Sequence, residues 1–412
     1  MANTFNQMKD APGVIAKAAA RILSDELQFC KTIDKVPASE YKGKNGYSAG
    51  NTIQINKPPR FIPQTTFDIT SSKQDVTEEK VPLVLDVIST VGIEIDSLET
   101  ATEIQVKEII KRVVKPAIQS IAQNVESRFL TLASVATANS VGAAGTNVFD
   151  TDTILSAKEK MNKYLCPKDD NRYFLSDSTA SRKATNARKG LFQSSDEISK
   201  QYKKGFIGIA DGFKWMENEL LNQHTNGTDV TFEVSTTVSV EGQSTLVVEG
   251  LTNTTGTVTA GTTFTVADVY AVNPITKAAY PFLQQFTATA TATANGSGVA
   301  TVSISPAIYT SASGGLQNVD AFPADGGACV PIGAVSTTYT DNMAYHKEAF
   351  RMVSVPLVMP TKAEFAAQDS YQGITVSVIR DFDVNKRSMV TRLDFLGGLV
   401  AVRPEWACKV TS

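Results

Sequence analysis

The spacing of apolar positions changes several times along the chain, and each change marks a predicted element. Near the start, Asp10 is a candidate N-cap and Pro12 sits in the first turn, where its missing N–H costs nothing. Ile15, Ala19, Ile22, Leu23, Leu27 and Cys30 then recur at helical spacing and predict one helix. A polar, proline-broken stretch follows over 36–72: strand-like 52–56, then Lys57-Pro58-Pro59-Arg60, then 64–69. It fits a long extended hairpin that has no face of its own to bury and needs a neighbour. Across 81–95 the period becomes two, with Leu83, Leu85 and Val87, then Val91, Ile93 and Ile95 alternating with polar or small residues.

The longest helical signal covers 103–138. Ile109, Val113, Ile121, Val125, Phe129, Leu132 and Ala136 share one face, while Lys111, Arg112, Gln119, Asn124 and Glu126 lie elsewhere. Pro116 interrupts it. Inside a helix a proline costs about 3 kcal/mol, so a kink or a fresh start at Pro116 is predicted. Residues 153–165 and 194–203 read as shorter helices and 172–175 as a strand. Further on, 350–355, 373–379 and 388–395 read as strands, ending at Gly397-Gly398 and Arg403-Pro404-Glu405. Helices and sequence-distant strands together predict an α+β fold.

Composition changes abruptly inside this pattern. Residues 228–340 hold seven acids (Asp229, Glu233, Glu241, Glu249, Asp268, Asp320, Asp325) and one base, Lys277. The stretch is rich in Thr, Val, Ala, Ser and Gly, which favour strands and turns. Turn-like 253–256, 295–298 and 313–315 separate alternating runs at 245–249, 262–266 and 299–304. These features predict an all-β insertion, a small barrel or sandwich.

The whole chain has 412 residues, enough for two or three domains. With 42% hydrophobic and 20% charged residues it is globular rather than disordered. No run approaches the ~18 apolar residues of a membrane span, and 1–10 lack a signal peptide's basic and apolar regions. A non-exported chain without membrane contact is the expectation. A net charge of −3 argues against gripping nucleic acid as a main task.

Candidate chemistry is sparse. Cys30, Cys166, Cys329 and Cys408 are too scattered for a zinc spacing and read as small buried hydrophobes in a reducing compartment. His224 and His346 are the only histidines, which excludes a His-rich metal site; each reads as a lone core or surface residue. Gly46-Tyr47-Ser48-Ala49-Gly50 matches a nucleophile elbow in letters, but no strand precedes it and no helix follows, so a hairpin turn is expected. Gly205, Gly208 and Gly212 lack a phosphate-loop pattern and read as a loop. Glu94 and Asp96 share a strand's polar face. The basic pairs Lys111-Arg112, Arg182-Lys183, Arg188-Lys189 and Lys203-Lys204 have no interleaved aromatics for reading nucleic acid. No catalytic, metal or cofactor site is expected. The features left are those of a building block that completes itself against its own copies. The competing reading, a surface protein whose Thr-rich β domain binds carbohydrate, has only Tyr270, Tyr280, Phe282 and Phe286 to offer as aromatics.

Four segments, in this order, carry a resemblance. They are Ile121-Ala122-Gln123-Asn124-Val125-Glu126 leading into 129–133; Ala210-Asp211-Gly212-Phe213; Ala349-Phe350-Arg351-Met352-Val353-Ser354-Val355-Pro356-Leu357; and Leu393-Asp394-Phe395-Leu396-Gly397-Gly398 leading to Arg403-Pro404-Glu405. The chain resembles the phage major capsid proteins of the Hong Kong 97 (HK97) fold, and more closely the coat proteins of P22-like phages, which carry a β-barrel insertion. The resemblance implies an N-terminal arm at 1–35, an extended loop at 36–72 and a peripheral domain at 73–149 with its spine helix at 116–138. It further implies an axial domain from 150–227 and 341–412, and the insertion at 228–340. The function implied is self-assembly as hexamers and pentamers into an icosahedral head around double-stranded DNA, through a scaffolded procapsid that expands on packaging. Implied partners are other copies of the chain, a scaffolding protein, a portal protein, packaged DNA touched non-specifically at the inner face, and head-decoration proteins. The implied location is the virion shell, assembled in the host bacterial cytoplasm. Within the loop, Lys57 and Arg60 are candidates for intersubunit ion pairs, with Lys42, Lys44, Glu78 and Glu79 beside them.

Overall fold

The computed structural model describes residues 11–36, 47, 50–57, 61, 67, 79–96, 110–145, 149–187, 208–229, 231–360, 363, 365–383 and 388–411. The chain divides into two compact units. One comprises Met1–Ile55, Lys80–Leu130 and Arg351–Val400; the other comprises Asn56–Glu79, Thr131–Phe350 and Ala401–Ser412. Among the described residues no helix is long and apolar enough to cross a membrane.

In the first unit, helix α1 (Ala11–Glu26) has Pro12 in its first turn and buries Ala16, Ala19, Ala20 and Leu23. The single helix expected to continue through Cys30 instead breaks at Leu27-Gln28, and a one-turn helix α2 (Phe29–Thr32) follows. A tertiary partner overrides the local pattern. The Glu126 carboxylate accepts from the backbone N–H of Gln28 at 3.1 Å and of Phe29 at 2.5 Å, which frees both groups from the α1 ladder. Burial raises the pKa of Glu126, opposed by these two donors and the Cys30 thiol. Glu126→Ala is expected to lower stability by about 1–3 kcal/mol, since the buried Phe29 N–H and the half-buried Gln28 N–H lose their acceptor. Glu126→Gln keeps the acceptor and is expected to cost much less. Urea unfolding of the two variants checks this, and equal losses would contradict the capping role.

Glu126 belongs to α3 (Lys115–Ala136), which begins afresh after a wide π-type turn at Ile110–Val114 and carries Pro116 in its first turn. Its apolar face is Ile118, Ile121, Ala122, Val125, Phe129 and Leu130, with Phe129 edge-on to Phe395 at 6.3 Å. The unit's sheet runs Asp34–Val36, Phe350–Ser354, Ser388–Ala401, Ile374–Asp383, Phe365–Tyr371, with Val87–Asp96 also paired to Ser388–Ala401. Helix α1 packs on this sheet, with Ser24 Oγ donating to Gln372 Oε1 at 2.9 Å. Gly397-Gly398 do not end the strand as expected; it runs on to Ala401. A Cβ at Gly398 would lie 2.4 Å from Val84 O, and one at Gly397 3.0 Å from Val353 O. Both glycines permit close backbone approach inside a sheet rather than punctuating its edge.

The second unit holds a mixed sheet ordered Ser140–Gly142, Ala407–Thr411, Asn342–His346, Arg172–Ser176, Phe213–Glu217, Ile209–Ala210. Helices α4 (Thr151–Lys163) and α5 (Ser178–Ala187) accompany it. Asp150 caps α4: its carboxylate accepts from Thr153 Oγ1 at 2.7 Å and from Thr153 N at 2.9 Å, and the two bonds hold its pKa low.

The all-β segment is a closed antiparallel barrel. Its strands run in the order Phe232–Val234, Gln243–Glu249, Ala300–Ile308, Ala279–Ala288, Thr263–Val272, Ala328–Pro331, and the last pairs with the first. Alternation puts Val234, Leu246, Val248, Phe264, Val266, Phe286, Val302 and Ile304 inside. The abundant threonines pair across strands, as Thr263 and Thr287 do in register with hydroxyls 3.1 Å apart. Closure removes the open edges that a small, nearly uncharged sheet would otherwise expose.

Candidate functional site

Two regions stand out, the ribbon of Thr52–Lys57 against Glu79–Val84 and the neck of the barrel. Of the six charged candidates, Lys42, Lys44, Arg60 and Glu78 lie outside the described residues. Lys57 closes the strand Thr52–Lys57, which pairs with Glu79–Val84, the strand that Glu79 opens. Ile53, Ile55, Leu83 and Leu85 are buried, and Gly50 N donates to Leu85 O at 2.8 Å while Leu85 N donates to Asn51 O at 3.0 Å. Beyond this ribbon Phe61 is 51% exposed and Phe67 109% exposed. A phenyl ring left fully in water is a large apolar surface without a cover. Charge-directed reading passed over both rings; their signal is two aromatics in an otherwise polar, proline-broken run.

The chain enters and leaves the barrel through an antiparallel ribbon, Gln223–Thr225 against Thr338–Thr340, with His224 opposite Tyr339. His224 is 4% exposed. Its Nε2 lies 3.2 Å from Thr262 Oγ1, and its ring meets Tyr339 edge-on at 5.4 Å. Gly261, at φ +93°, comes so close that a Cβ there would lie 3.0 Å from His224 Nδ1. Lys409, 1% exposed, donates from Nζ to Gly261 O at 2.9 Å. Asp341 Oδ2 accepts from Ser134 Oγ at 2.5 Å and from Asn222 Nδ2 at 3.3 Å. Burial lowers the His224 pKa, Asp341's charge opposes that and Lys409's adds to it. Burial likewise lowers the Lys409 pKa, against the pull of Asp341.

The barrel is also seated along α4 and the residues that follow Ala136. Lys160 Nζ reaches Ser140 O at 3.3 Å and bonds Gln285 Oε1, and burial brings its pKa down to about 8. Tyr164 OH donates to Gln284 Oε1 at 3.1 Å, and Thr287 Oγ1 to Thr137 O at 3.0 Å. Tyr280 and Phe282 stack at 5.1 Å. Tyr280 OH donates to Lys163 O at 2.7 Å, and Lys163 Nζ lies 4.9 Å from the Phe282 ring centre. Phe286 is fully buried in the barrel core. Three of the four aromatics a sugar platform would need therefore serve packing, and Tyr270 is left alone.

The remaining motifs hold no reactive constellation. Ser48 and Gly205 lie outside the described residues. Gly208–Gly212 is not a loop as expected but a tight hairpin, Ile209–Ala210 pairing with Phe213–Lys214 around Asp211 and Gly212 at φ 56° and 83°. His346 has its own partners, Asp169 Oδ1 at 3.0 Å and Trp406 edge-on at 5.5 Å. All four cysteines are buried and free; burial pushes Cys166 and Cys408 up to about 11 and Cys329 to about 12. Among the described residues no group of three His, Cys, Asp or Glu could hold a metal.

A family model described as "P22 coat protein - gene protein 5" matches residues 1–409. No curated protein sequence matches the chain. Similar solved structures include a chain from Mycobacterium phage Che8, at 11% identity over 93% of this chain and 90% of that one, TM-score 0.46. The capsid of Ralstonia phage GP4 is similar at 7% identity over 92% and 87%, TM-score 0.48. The capsid of the cyanophage P-SCSP1u is similar at 11% identity over 93% and 87%, TM-score 0.43.

Proposed function

Because this chain belongs to the P22 coat protein family and is a major capsid protein of an icosahedral phage head, we propose that its function is geometric and rests on contacts between copies. The observation that carries this reading is the family match over 1–409. The chain is a structural protein, not an enzyme. Its α+β body of the Hong Kong 97 type with an inserted closed barrel supports that role.

In the proposed mapping, 1–35 is the N-terminal arm, 36–72 the extended loop over a neighbour, and 73–149 the peripheral domain. Residues 150–227 with 341–412 form the axial domain, and 228–340 the outer insertion. Copies occupy quasi-equivalent positions in hexamers and pentamers, which small hinge changes suffice to separate. Scaffolding, portal and head-decoration proteins, DNA at the inner face, and assembly in the host cytoplasm complete the proposal. The mild net acidity suits a shell that must let DNA slide in and out.

The extended loop supplies two kinds of intersubunit contact. Lys57 and Arg60 offer ion pairs of only about 0–1 kcal/mol each if exposed. Phe61 and Phe67 offer apolar area, and full burial of one such ring is worth roughly 1.5–3 kcal/mol. Phe67→Ala is therefore expected to slow assembly more than Arg60→Ala, read by light scattering with scaffold present. If neither variant changes assembly rate or shell stability, the loop assignment is wrong. The broader reading is tested by negative-stain microscopy and size-exclusion of the purified chain, with and without a cognate scaffolding protein. Shells, tubes or rings of five and six are expected; a chain that stays monomeric at high concentration with scaffold would sink it.

A further inference from the structure

The neck concentrates buried polar groups where the barrel joins its own unit. His224 is central: the chain passes it on the way in, Tyr339 and Asp341 flank the way out, and Gly261-Thr262 of the barrel rest against its ring. The ionisable groups acting on the ring are Asp341 and Lys409, and Asn226 gives it a side-chain hydrogen bond. The Tyr339 hydroxyl donates to Asn226 Oδ1 at 3.3 Å, and burial raises its pKa, so it stays neutral. A neutral imidazole fits this setting, with one nitrogen donating and the other accepting. A second cation beside Lys409, closed off from water, does not fit.

We propose that His224 makes the neck a proton-operated hinge. With the ring neutral, the barrel turn at Gly261-Thr262 is seated on the neck; with the ring protonated, it lifts away. Burial supports the direction, because the seated ring binds its proton less readily than a solvated one. The unseated form then carries more protons below an ordinary histidine pKa of about 6.5, so seating weakens as pH falls through that range and is unaffected above it. One proton per hinge sets a limit of about tenfold in the seating equilibrium per pH unit. Assembly plays no part in this argument, so it can fail or hold independently of the capsid reading.

The test is amide hydrogen exchange on the full-length unassembled chain from about pH 7.5 to about pH 5, corrected for intrinsic rates, the range in which histidine titrates. Protection at 223–226, 259–263 and 338–341 should fall with pH in the native sequence, stay flat in His224→Gln and fall as before in His346→Gln. Protection that is flat in the native chain, or that still falls in His224→Gln, overturns the proposal. If His224→Gln does not fold, the native chain still decides. The ring resonances of its two imidazoles are told apart with His346→Gln, and the His224 midpoint should lie below the ordinary range and coincide with the loss of neck protection. A midpoint at or above that range overturns it.

Discussion

Lys409→Ala is expected to destabilise the second unit by about 3–5 kcal/mol, because it strips a buried carboxylate of its counter-charge. Lys409 sits at the centre of Ala407–Thr411, in register with Met343 on one side and Ser140 on the other. Its ammonium ends between Gly261 O and the field of Asp341. Asp341 Oδ2 accepts from Ser134 and Asn222, but its Oδ1 is buried with no hydrogen bond among the described residues, so the lysine's charge adds to the compensation those two bonds give. Truncation also removes the donor to Gly261, on which His224 and the barrel turn depend. The double variant Lys409→Met/Asp341→Asn removes both charges and is expected to recover most of the loss. Urea titration of the unassembled chain checks both. A single-variant loss below about 1 kcal/mol would mean that the pair is solvated and the burial argument wrong.

Phe264→Ala should cost a similar about 3–5 kcal/mol, but confined to the barrel. Phe264 is fully buried, edge-on to Phe232 at 5.6 Å and tilted against Phe286 at 6.3 Å. Those three rings pack among the aliphatic side chains of the barrel core, whose close packing leaves little freedom to close over a missing phenyl. The probe matters here. Trp215 and Trp406 both lie outside Phe232–Pro331, so intrinsic tryptophan fluorescence would miss local opening of the barrel. Hydrogen exchange across its strands is the appropriate readout. Unchanged protection in the barrel would show that its core tolerates a cavity.

The barrel was legible because two independent signals coincide there, alternation of apolar residues and loss of charge. The long helix was legible from spacing, and Pro116 marked its start. What the sequence hides is whatever a distant residue decides. Nothing near Leu27 announces that Glu126 will take the Gln28 and Phe29 N–H groups. Gly397-Gly398 look like a stop because glycine usually is one, and only the approach of Val84 and Val353 shows otherwise. Ala407-Cys408-Lys409-Val410-Thr411 received no strand assignment from its spacing, yet all five residues are buried in a strand with a partner on either side. The candidate contact residues suffered from the same limit in reverse. A search for charge found Lys57 and Arg60, whereas Phe61 and Phe67 become conspicuous only through their exposure among the described residues. In the neck, His224 and Asp341 sit far apart in sequence with no shared motif, and their relation to Lys409 comes wholly from the fold.

Residues 407–411 lie between Ser140–Gly142 and Asn342–His346, and the first of these strands pairs with no other strand among the described residues. On a ribosome, where a chain grows from its N-terminus at about 5–20 residues per second, everything from 140 to 346 is made before the strand that joins its two ends. Until then the sheet presents two open edges, while the barrel between them already has all of its strands. The nascent subunit thus carries a finished barrel on an unfinished body until Ala407–Thr411, made after both of its partner strands, closes the gap. A truncation that stops short of Ala407 would leave those edges open, and unpaired strands recruit one another into aggregates rather than shells.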